Sequence, residues 1–260
     1  MAGIVDALER ARRTKEQIRQ LTLDHPHMTI EDAYAVQRAW IDRRLAEGRE
    51  TVGHKIGLTS RAMQKSVGID EPDFGSLLDD MVYDAAAPIP TSDFVEPRLE
   101  VELAFVLAAP LTPDVDSIDA VYAATEYIVP AVEIIDARVQ RVDPETGRTR
   151  TVRDTIADNA ANAGIVIGER HVLPGEVDLR WAGGLLTQNG VIEETGLGAG
   201  VLGHPARGIV WLAQRFGRYL DLHPGQIILA GSFTRPVFVA PGDEFIVDYG
   251  PLGTIEFGFA

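Results

Sequence analysis

The sequence predicts an α+β protein: a mostly β body preceded by a small helical layer. Three observations predict it. Apolar residues at helical spacing concentrate in the first fifty residues. From Val52 onward the chain reads as short apolar runs broken by Gly, Pro and Asp. The strands outnumber the helices and do not alternate with them, which excludes a doubly wound sheet. The spacing divides the chain into residues 1–48, the helical layer, and 49–260, the β body. The layer is too small to fold alone and must pack on the body.

In order along the chain, Ile4, Leu8, Ala11, Lys15 and Ile18 fall on one helical stripe, broken only by the lysine. Thr29 is an N-cap for a second helix, with Ala33, Val36 and Trp40 on one face and Gly48 as its stop. Leu99 to Leu107 is the clearest strand. Ile128–Ile135 and Ala163–Ile167 are apolar runs of strand length. Asn189-Gly190 lies between β-prone flanks and predicts a hairpin over Leu185–Ile192. Pro205 opens a late helix through Ile209, Val210, Ala213 and Phe216. The chain closes on strands at 227–230, 236–240, 244–248 and 254–257.

Composition narrows the chemistry. Among 260 residues there is no cysteine, which excludes a disulfide scaffold, a thiolate zinc site, an iron–sulfur cluster and a cysteine nucleophile. The net charge of −15 argues against a nucleic-acid partner or a polybasic membrane anchor. Residues 1–20 carry charges throughout, unlike a signal peptide, and no uncharged apolar run approaches the ~20 residues of a membrane span. A soluble, cytoplasmic protein is expected.

The segment Arg98-Leu-Glu-Val-Glu-Leu-Ala-Phe-Val-Leu107 carries the most information. On a strand its leucines, Val101 and Phe105 share one face, and Glu100 and Glu102 share the other, about 7 Å apart at the backbone. Glu133 is the only charge in the run Ile128–Ile135, and a buried carboxylate needs a partner. If the two strands are neighbours, three glutamates converge. Without cysteine or a nearby histidine pair, such a set suits a hard cation, Mg²⁺ or Mn²⁺. The plainer alternative is two solvated glutamates on an edge strand, with Glu133 paired to Arg138.

Other polar islands surround these acids. His54 and Lys55 interrupt an apolar, Gly-flanked strand at Gly53–Ser60. A lysine so placed can titrate nearer neutrality, or it can reach out to water. Asp73 lies in an acid-rich turn beside Phe74 and is a candidate base or a partner for Lys55. Asp79 and Asp80 read as surface charges. Asp158, Asn159 and Asn162 offer hydrogen bonds to a site, or turn the backbone. The Gly231-Ser-Phe-Thr-Arg-Pro236 turn offers amides and Ser232 to an anion, and Arg235 can hold a carboxylate. Gly198-Ala-Gly-Val-Leu-Gly203 matches a dinucleotide fingerprint by letter but follows a loop and lacks the surrounding βαβ unit.

These residues also carry a family resemblance. Gly53-His-Lys-Ile-Gly-Leu-Thr-Ser60, Asp70-Glu-Pro-Asp-Phe-Gly75, Glu100-Val-Glu102, Ala131-Val-Glu-Ile-Ile-Asp-Ala-Arg138 and Gly231–Pro236 together resemble the fumarylacetoacetate hydrolase superfamily, in its branch of 2-oxo-acid hydratases and decarboxylases from aromatic catabolism. The resemblance runs nearly end to end. It implies a mixed β-roll catalytic core over 49–260 and a divalent metal, Mg²⁺ or Mn²⁺, on Glu100, Glu102 and Glu133. It places Lys55 and Asp73 in the pocket as acid–base residues. It implies a 2-oxo dicarboxylic acid substrate held by Ser232 and Asn159, with Arg235 as distal anchor and Arg153 behind it. A homo-oligomer is implied, up to a decamer. Hydration, decarboxylation and hydrolysis of a 1,3-diketo acid (assisted by His25 or His27) all lie within this superfamily. A metal-stabilised assembly subunit without turnover is the reading from another class.

Overall fold

The computed structural model describes residues 2–220 and 222–260, apart from the side chains of Ser66 and Val67. The elements in chain order are α1 (Ala2–Thr14), α2 (Leu21–Asp24), α3 (Ile30–Ala46), β1 (Thr51–Gly57), α4 (Arg61–Val67), β2 (Asp73–Leu78), β3 (Val82–Tyr83) and β4 (Arg98–Leu107). There follow α5 (Ile118–Ala123), β5 (Thr125–Ile135), α6 (Val152–Ala157), β6 (Asn162–Ile167), β7 (Gly183–Gln188), β8 (Val191–Leu197) and α7 (Ala206–Phe216). The chain ends with β9 (Ile227–Leu229), β10 (Val237–Phe238), β11 (Glu244–Asp248) and β12 (Thr254–Gly258).

A mixed sheet of eight strands runs in the order β2-β1-β9-β4-β5-β6-β3, with β10 also paired to β4; β12-β11-β7-β8 form a second sheet. Strands β1 and β9 pair in parallel, as do β3 and β6, and the other pairs are antiparallel. This is the α+β, β-roll class that the sequence predicts.

The register of β4 follows from burial. Leu99, Val101, Leu103, Phe105 and Leu107 are fully buried in the main core, which runs without a break from Val5 on α1 to Phe259. Each such side chain contributes about 1.5–3 kcal/mol, so the five fix the facing of β4 by roughly 10 kcal/mol. A slip of one residue would put the glutamates into that core. The opposite face carries a second, smaller apolar cluster, including Ala104, Val129, Ala131 and Leu229. The acids lie on this face.

Local signals are borne out where no distant partner competes. Thr29 caps α3 in a reciprocal box with Asp32. Asn189 (φ 51°) and Gly190 (φ 82°) make the two-residue turn between β7 and β8, with left-handed backbone at both positions.

Other signals lose to long-range pairing. The α1 stripe does not continue to Ile18. Lys15 turns left-handed (φ 60°), and Ile18 bridges Val139 instead, with Ile18 N–H donating to the Arg138 carbonyl at 2.8 Å. The strand expected at 236–240 shortens to two residues. The helix α6 adds to the expected elements; Thr151-Val-Arg-Asp154 forms the capping box that signals it.

Candidate active site

Strand pairing assembles the site. Glu100 on β4 lies directly opposite Glu133 on β5, and Glu102 lies opposite Ala131. Lys55 on β1 pairs with Leu229 on β9, which pairs with Ala104 on β4, so the lysine stands on the acid face two strands away. Gly57 on β1 pairs with Asp73 on β2. Lys55, Asp73, Glu102 and Glu133 are all 3% exposed or less, and Glu100 is half-buried.

One carboxylate oxygen from each of Glu100, Glu102 and Glu133 lies within 4.8 Å of the other two. Lys55 Nζ stands 3.3 Å from Glu133 Oε1. The Gly231 N–H donates to Glu102 Oε2 at 2.8 Å, but Glu102 Oε1 and Glu133 Oε2 meet no hydrogen-bond donor, and Glu133 Oε1 has only the Lys55 ammonium beside it. Buried carboxylate oxygens without donors are costly. One oxygen from each of three glutamates, converging with no other ligand type among them, fits a hard divalent cation. The alternative pairing of Glu133 with Arg138 does not occur, because Arg138 is spent on Asp158.

Four carboxylates around one ammonium leave a buried excess of negative charge. Burial, then Glu133, push the Glu100 carboxyl up to about 8. Burial, then Glu133 and Glu100, hold Glu102 well above the usual carboxylate range. Burial also raises Glu133, against the pull of Lys55. Asp73 is pushed up to about 6, by burial first, with Lys55 opposing. The expectation that Lys55 titrates nearer neutrality is corrected. Burial alone would lower it, but Glu133, Asp73, Glu100 and Glu102 together hold it well above a free lysine.

A pH dependence follows. Between about pH 7 and 8 the unfolded glutamates are ionised, while folded Glu100, pushed up to about 8, still holds much of its proton. The folded state binds more protons, so stability falls as pH rises. Burial holds His54 down near 4, so it is neutral when folded; the residual protonation of the unfolded histidine near pH 7 offsets only a small part of this slope. Each retained proton contributes ~1.4 kcal/mol per pH unit. The metal-free protein is expected to melt at lower temperature at pH 8 than at pH 7, and Mg²⁺ should flatten that slope; thermal scans across both pH values check this.

Gly57 explains how Lys55 and Asp73 meet. A Cβ there would lie 2.3 Å from Asp73 Oδ1 and 3.1 Å from Lys55 Nζ, so both groups share the space above a residue with no side chain. A glycine inside a strand signals such an approach. Gly57→Ala is expected to keep the fold and lower kcat at least about tenfold by displacing the carboxylate; steady-state kinetics alongside circular dichroism would check it.

The remaining candidates are placed differently from expectation. Asn159 does not face a ligand: its amide accepts from Ser76 N–H at 2.8 Å and donates to Ser76 C=O at 2.9 Å, bracing β2 behind Asp73. It opens three successive left-handed residues, Asn159, Ala160 and Ala161 (φ 54°, 53°, 58°), a strained turn of the kind found at functional sites. Arg153 donates to the Met28 carbonyl at 2.8 Å. Arg235 is 84% exposed and donates to Glu194 at 2.8 Å, away from the glutamates. Ser232 closes its own turn on Thr234, while the amide beside it, that of Gly231, serves Glu102. Asp80 is tied to Arg44, and His25 and His27 are exposed between α2 and α3. His54 faces away from the acids, into a cavity of about 580 Å³ beside Phe74 and Tyr34.

A curled mixed sheet carrying an acid triad beside a lysine and an aspartate is the architecture of a fumarylacetoacetate hydrolase-like enzyme, and the chain belongs to that family. The family described as fumarylacetoacetate (FAA) hydrolase C-terminal matches residues 49–260. Among relatives, the chain is 56% identical over 257 residues to 2-oxo-hept-4-ene-1,7-dioate hydratase of Escherichia coli, covering 98% of this chain and 96% of the relative. It is 37% identical to a 2-keto-4-pentenoate hydratase of Paraburkholderia xenovorans, covering 97% and 92%. Among solved structures, 4-oxalocrotonate decarboxylase from Pseudomonas putida G7, complexed with magnesium and adipate, superposes with a TM-score of 0.92 at 34% identity, covering 99% and 96%.

Proposed function

We propose that this chain is a divalent-metal-dependent hydro-lyase. It adds water across the conjugated double bond of 2-oxohept-3-enedioate, or its dienol tautomer, to give 4-hydroxy-2-oxoheptanedioate. The observation that carries the reading is the trio of converging glutamates on one sheet face beside Lys55 and Asp73. The identity to the E. coli hydratase supports this substrate. The step belongs to aromatic catabolism, in the homoprotocatechuate branch, and we place it in the cytoplasm as a homo-oligomer, up to a decamer.

Glu100, Glu102 and Glu133 would hold Mg²⁺ or Mn²⁺. Bound there, the cation supplies Lewis acidity toward a 2-oxo acid and cancels the negative field around Lys55. The protein supplies the protons. Asp73, poised near 6, is ionised at neutral pH and accepts a proton from water as the water oxygen bonds to carbon 4. Lys55, whose ammonium stands beside Glu133, delivers one at carbon 3. The product gains one oxygen and two hydrogens, and both groups then exchange protons back. Ser232 and the amides of its turn are the candidate contacts for the proximal carboxylate.

Decarboxylation of a related 2-oxo diacid is the second reading, favoured by the likeness to 4-oxalocrotonate decarboxylase. The shorter 2-oxopent-4-enoate is the alternative hydration substrate. Incubation of purified protein and Mg²⁺ with each conjugated acid separates them. Loss of the conjugated absorbance with gain of the mass of one water supports hydration of the seven-carbon acid. Release of CO₂ overturns it, and preference for the five-carbon monoacid corrects its substrate.

A further inference from the structure

Strand β2 carries Asp73 and ends the eight-stranded sheet: among the described strands it pairs only with β1. Alternate residues of an antiparallel strand turn both backbone groups away from the partner. On β2 these include Phe74 and Ser76, whose groups point off the edge. Yet the whole strand, Asp73–Leu78, is buried. A buried edge with no neighbouring strand leaves backbone groups that need other partners.

Three buried side-chain amides supply them. Gln37 on α3 donates to the Phe74 carbonyl at 2.8 Å and to the Ile156 carbonyl of α6 at 3.1 Å. Asn159 accepts from Ser76 N–H and donates to Ser76 C=O, as a peptide of a neighbouring strand would. Asn162 adds a second donor to that carbonyl at 3.0 Å. The turn that carries Asn159 is itself anchored. Arg138, just beyond β5, donates to the Asp158 carbonyl at 2.7 Å and to the Asn162 carbonyl at 3.1 Å. The network thus runs from the end of β5, which carries Glu133, to the edge of β2, which carries Asp73.

The network also meets the acid face. Gly75 lies directly opposite Lys55, so the two positions share that face. A Cβ at Gly75 would lie 2.4 Å from the Asn159 carbonyl oxygen, so the turn packs directly on the strand two residues after Asp73. The left-handed backbone of Asn159, Ala160 and Ala161 is kept at the point of this approach.

We propose that Gln37 and Asn159 are positioning residues. Their amides stand in for the missing strand, hold the edge of β2, and so fix Asp73 against Lys55 and the glutamates. Neither touches the reacting atoms. Gln37 belongs to the helical layer, outside residues 49–260, so that layer contributes to turnover through this side chain. The proposal rests on the reading above, in which Asp73 moves a proton.

The experiment compares Gln37→Met and Asn159→Gly with the unaltered Mg²⁺-loaded protein. Met keeps the volume of Gln37, and Gly keeps the left-handed backbone at position 159, so each removes chiefly the amide. Gln20→Met is the control: Gln20 is similarly buried and donates to the Arg148 carbonyl at 2.6 Å, away from β2. Measurements of kcat, KM for the seven-carbon diacid and Mg²⁺ affinity are made below the melting temperature of every variant. Displacing Asp73 should lower kcat about 10–100-fold in Gln37→Met and Asn159→Gly, with KM and Mg²⁺ affinity nearly unchanged. Gln20→Met should lose stability and keep kcat. Unchanged kcat in folded Gln37→Met, an equal loss in Gln20→Met, or a fall in Mg²⁺ affinity that parallels kcat would overturn the assignment. If Asn159→Gly does not fold, Gln37→Met, on a separate element, decides. Hydrogen exchange at the Ser76 amide reads the edge without turnover: it should quicken in Asn159→Gly, and unchanged protection overturns the role of Asn159. Absence of turnover in the unaltered protein would instead overturn the functional reading, while exchange would still report on the edge.

Discussion

Glu102→Gln is expected to lower kcat/KM about 10³-fold, equivalent to roughly 4 kcal/mol, and at the same time to raise the melting temperature of the metal-free protein at pH 8. The two effects have one cause. Glu102 is buried, has one oxygen without a donor, and faces Glu133 and Glu100. In the folded, metal-free state it must either hold a proton well above its ordinary range or carry an unpaired charge. The unfolded chain does neither. At pH 8 this difference opposes folding. Glutamine removes that cost. Its carbonyl still accepts the Gly231 N–H, and its NH₂ can donate to the unpartnered Oε2 of Glu133. It also removes one anionic ligand, so Mg²⁺ affinity should fall. Calorimetric titration of Mg²⁺, thermal melting and steady-state rates test all three effects. A variant that is both less stable and unchanged in metal affinity would show that the acids do not form a cation site.

Lys55→Met should move stability and metal affinity in the opposite sense. Lys55 is the ammonium among these acids, 3.3 Å from Glu133 and sharing the space over Gly57 with Asp73. Removing one member of a buried pair leaves the other uncompensated, a loss of about 3–5 kcal/mol in the metal-free protein. The acids then have no resident cation to compete with the metal, so Mg²⁺ should bind more tightly and recover much of the stability. Turnover should still fall about 10²–10⁴-fold, the usual contribution of a positioned proton donor. Tighter metal binding combined with a collapse of turnover separates a proton-transfer role from a structural one. Weaker metal binding would show that Lys55 orders the glutamates instead of opposing a cation.

Much of the site is legible from local pattern. The two-residue period of β4 sets Glu100 and Glu102 on one face, and Glu133 is the only charge in its run. Both signals depend on burial of the residues beside the acids, which a sequence displays directly. The partners of the arginines are not legible. Arg235 finds Glu194, Arg153 finds the Met28 carbonyl, and Arg138 finds Asp158. A guanidinium on a long stem takes whichever acceptor the fold brings near, and for Arg153 that acceptor is 125 residues away. Asn159 departs from expectation for a related reason. A polar side chain in a turn looks the same whether it meets a ligand or braces the backbone of Ser76.

The direction of the Lys55 shift marks the boundary most clearly. The apolar, Gly-flanked strand leaves the lysine free to be buried or to reach water, and the structure buries it. Whether burial or neighbouring charge prevails depends on which strands flank β1. The insertion of β9 between β1 and β4 decides that, placing Lys55 across from the glutamates. Which side of each strand is apolar, where the hairpin turns and which metals the side chains could hold were therefore decided by the sequence alone, because they depend on alternation, turn chemistry and ligand type within a few residues. Which acids surround which cation was decided only by the tertiary structure, because strand order is selected by burial summed over the whole sheet, and charges separated widely along the chain interact only once that order brings them together.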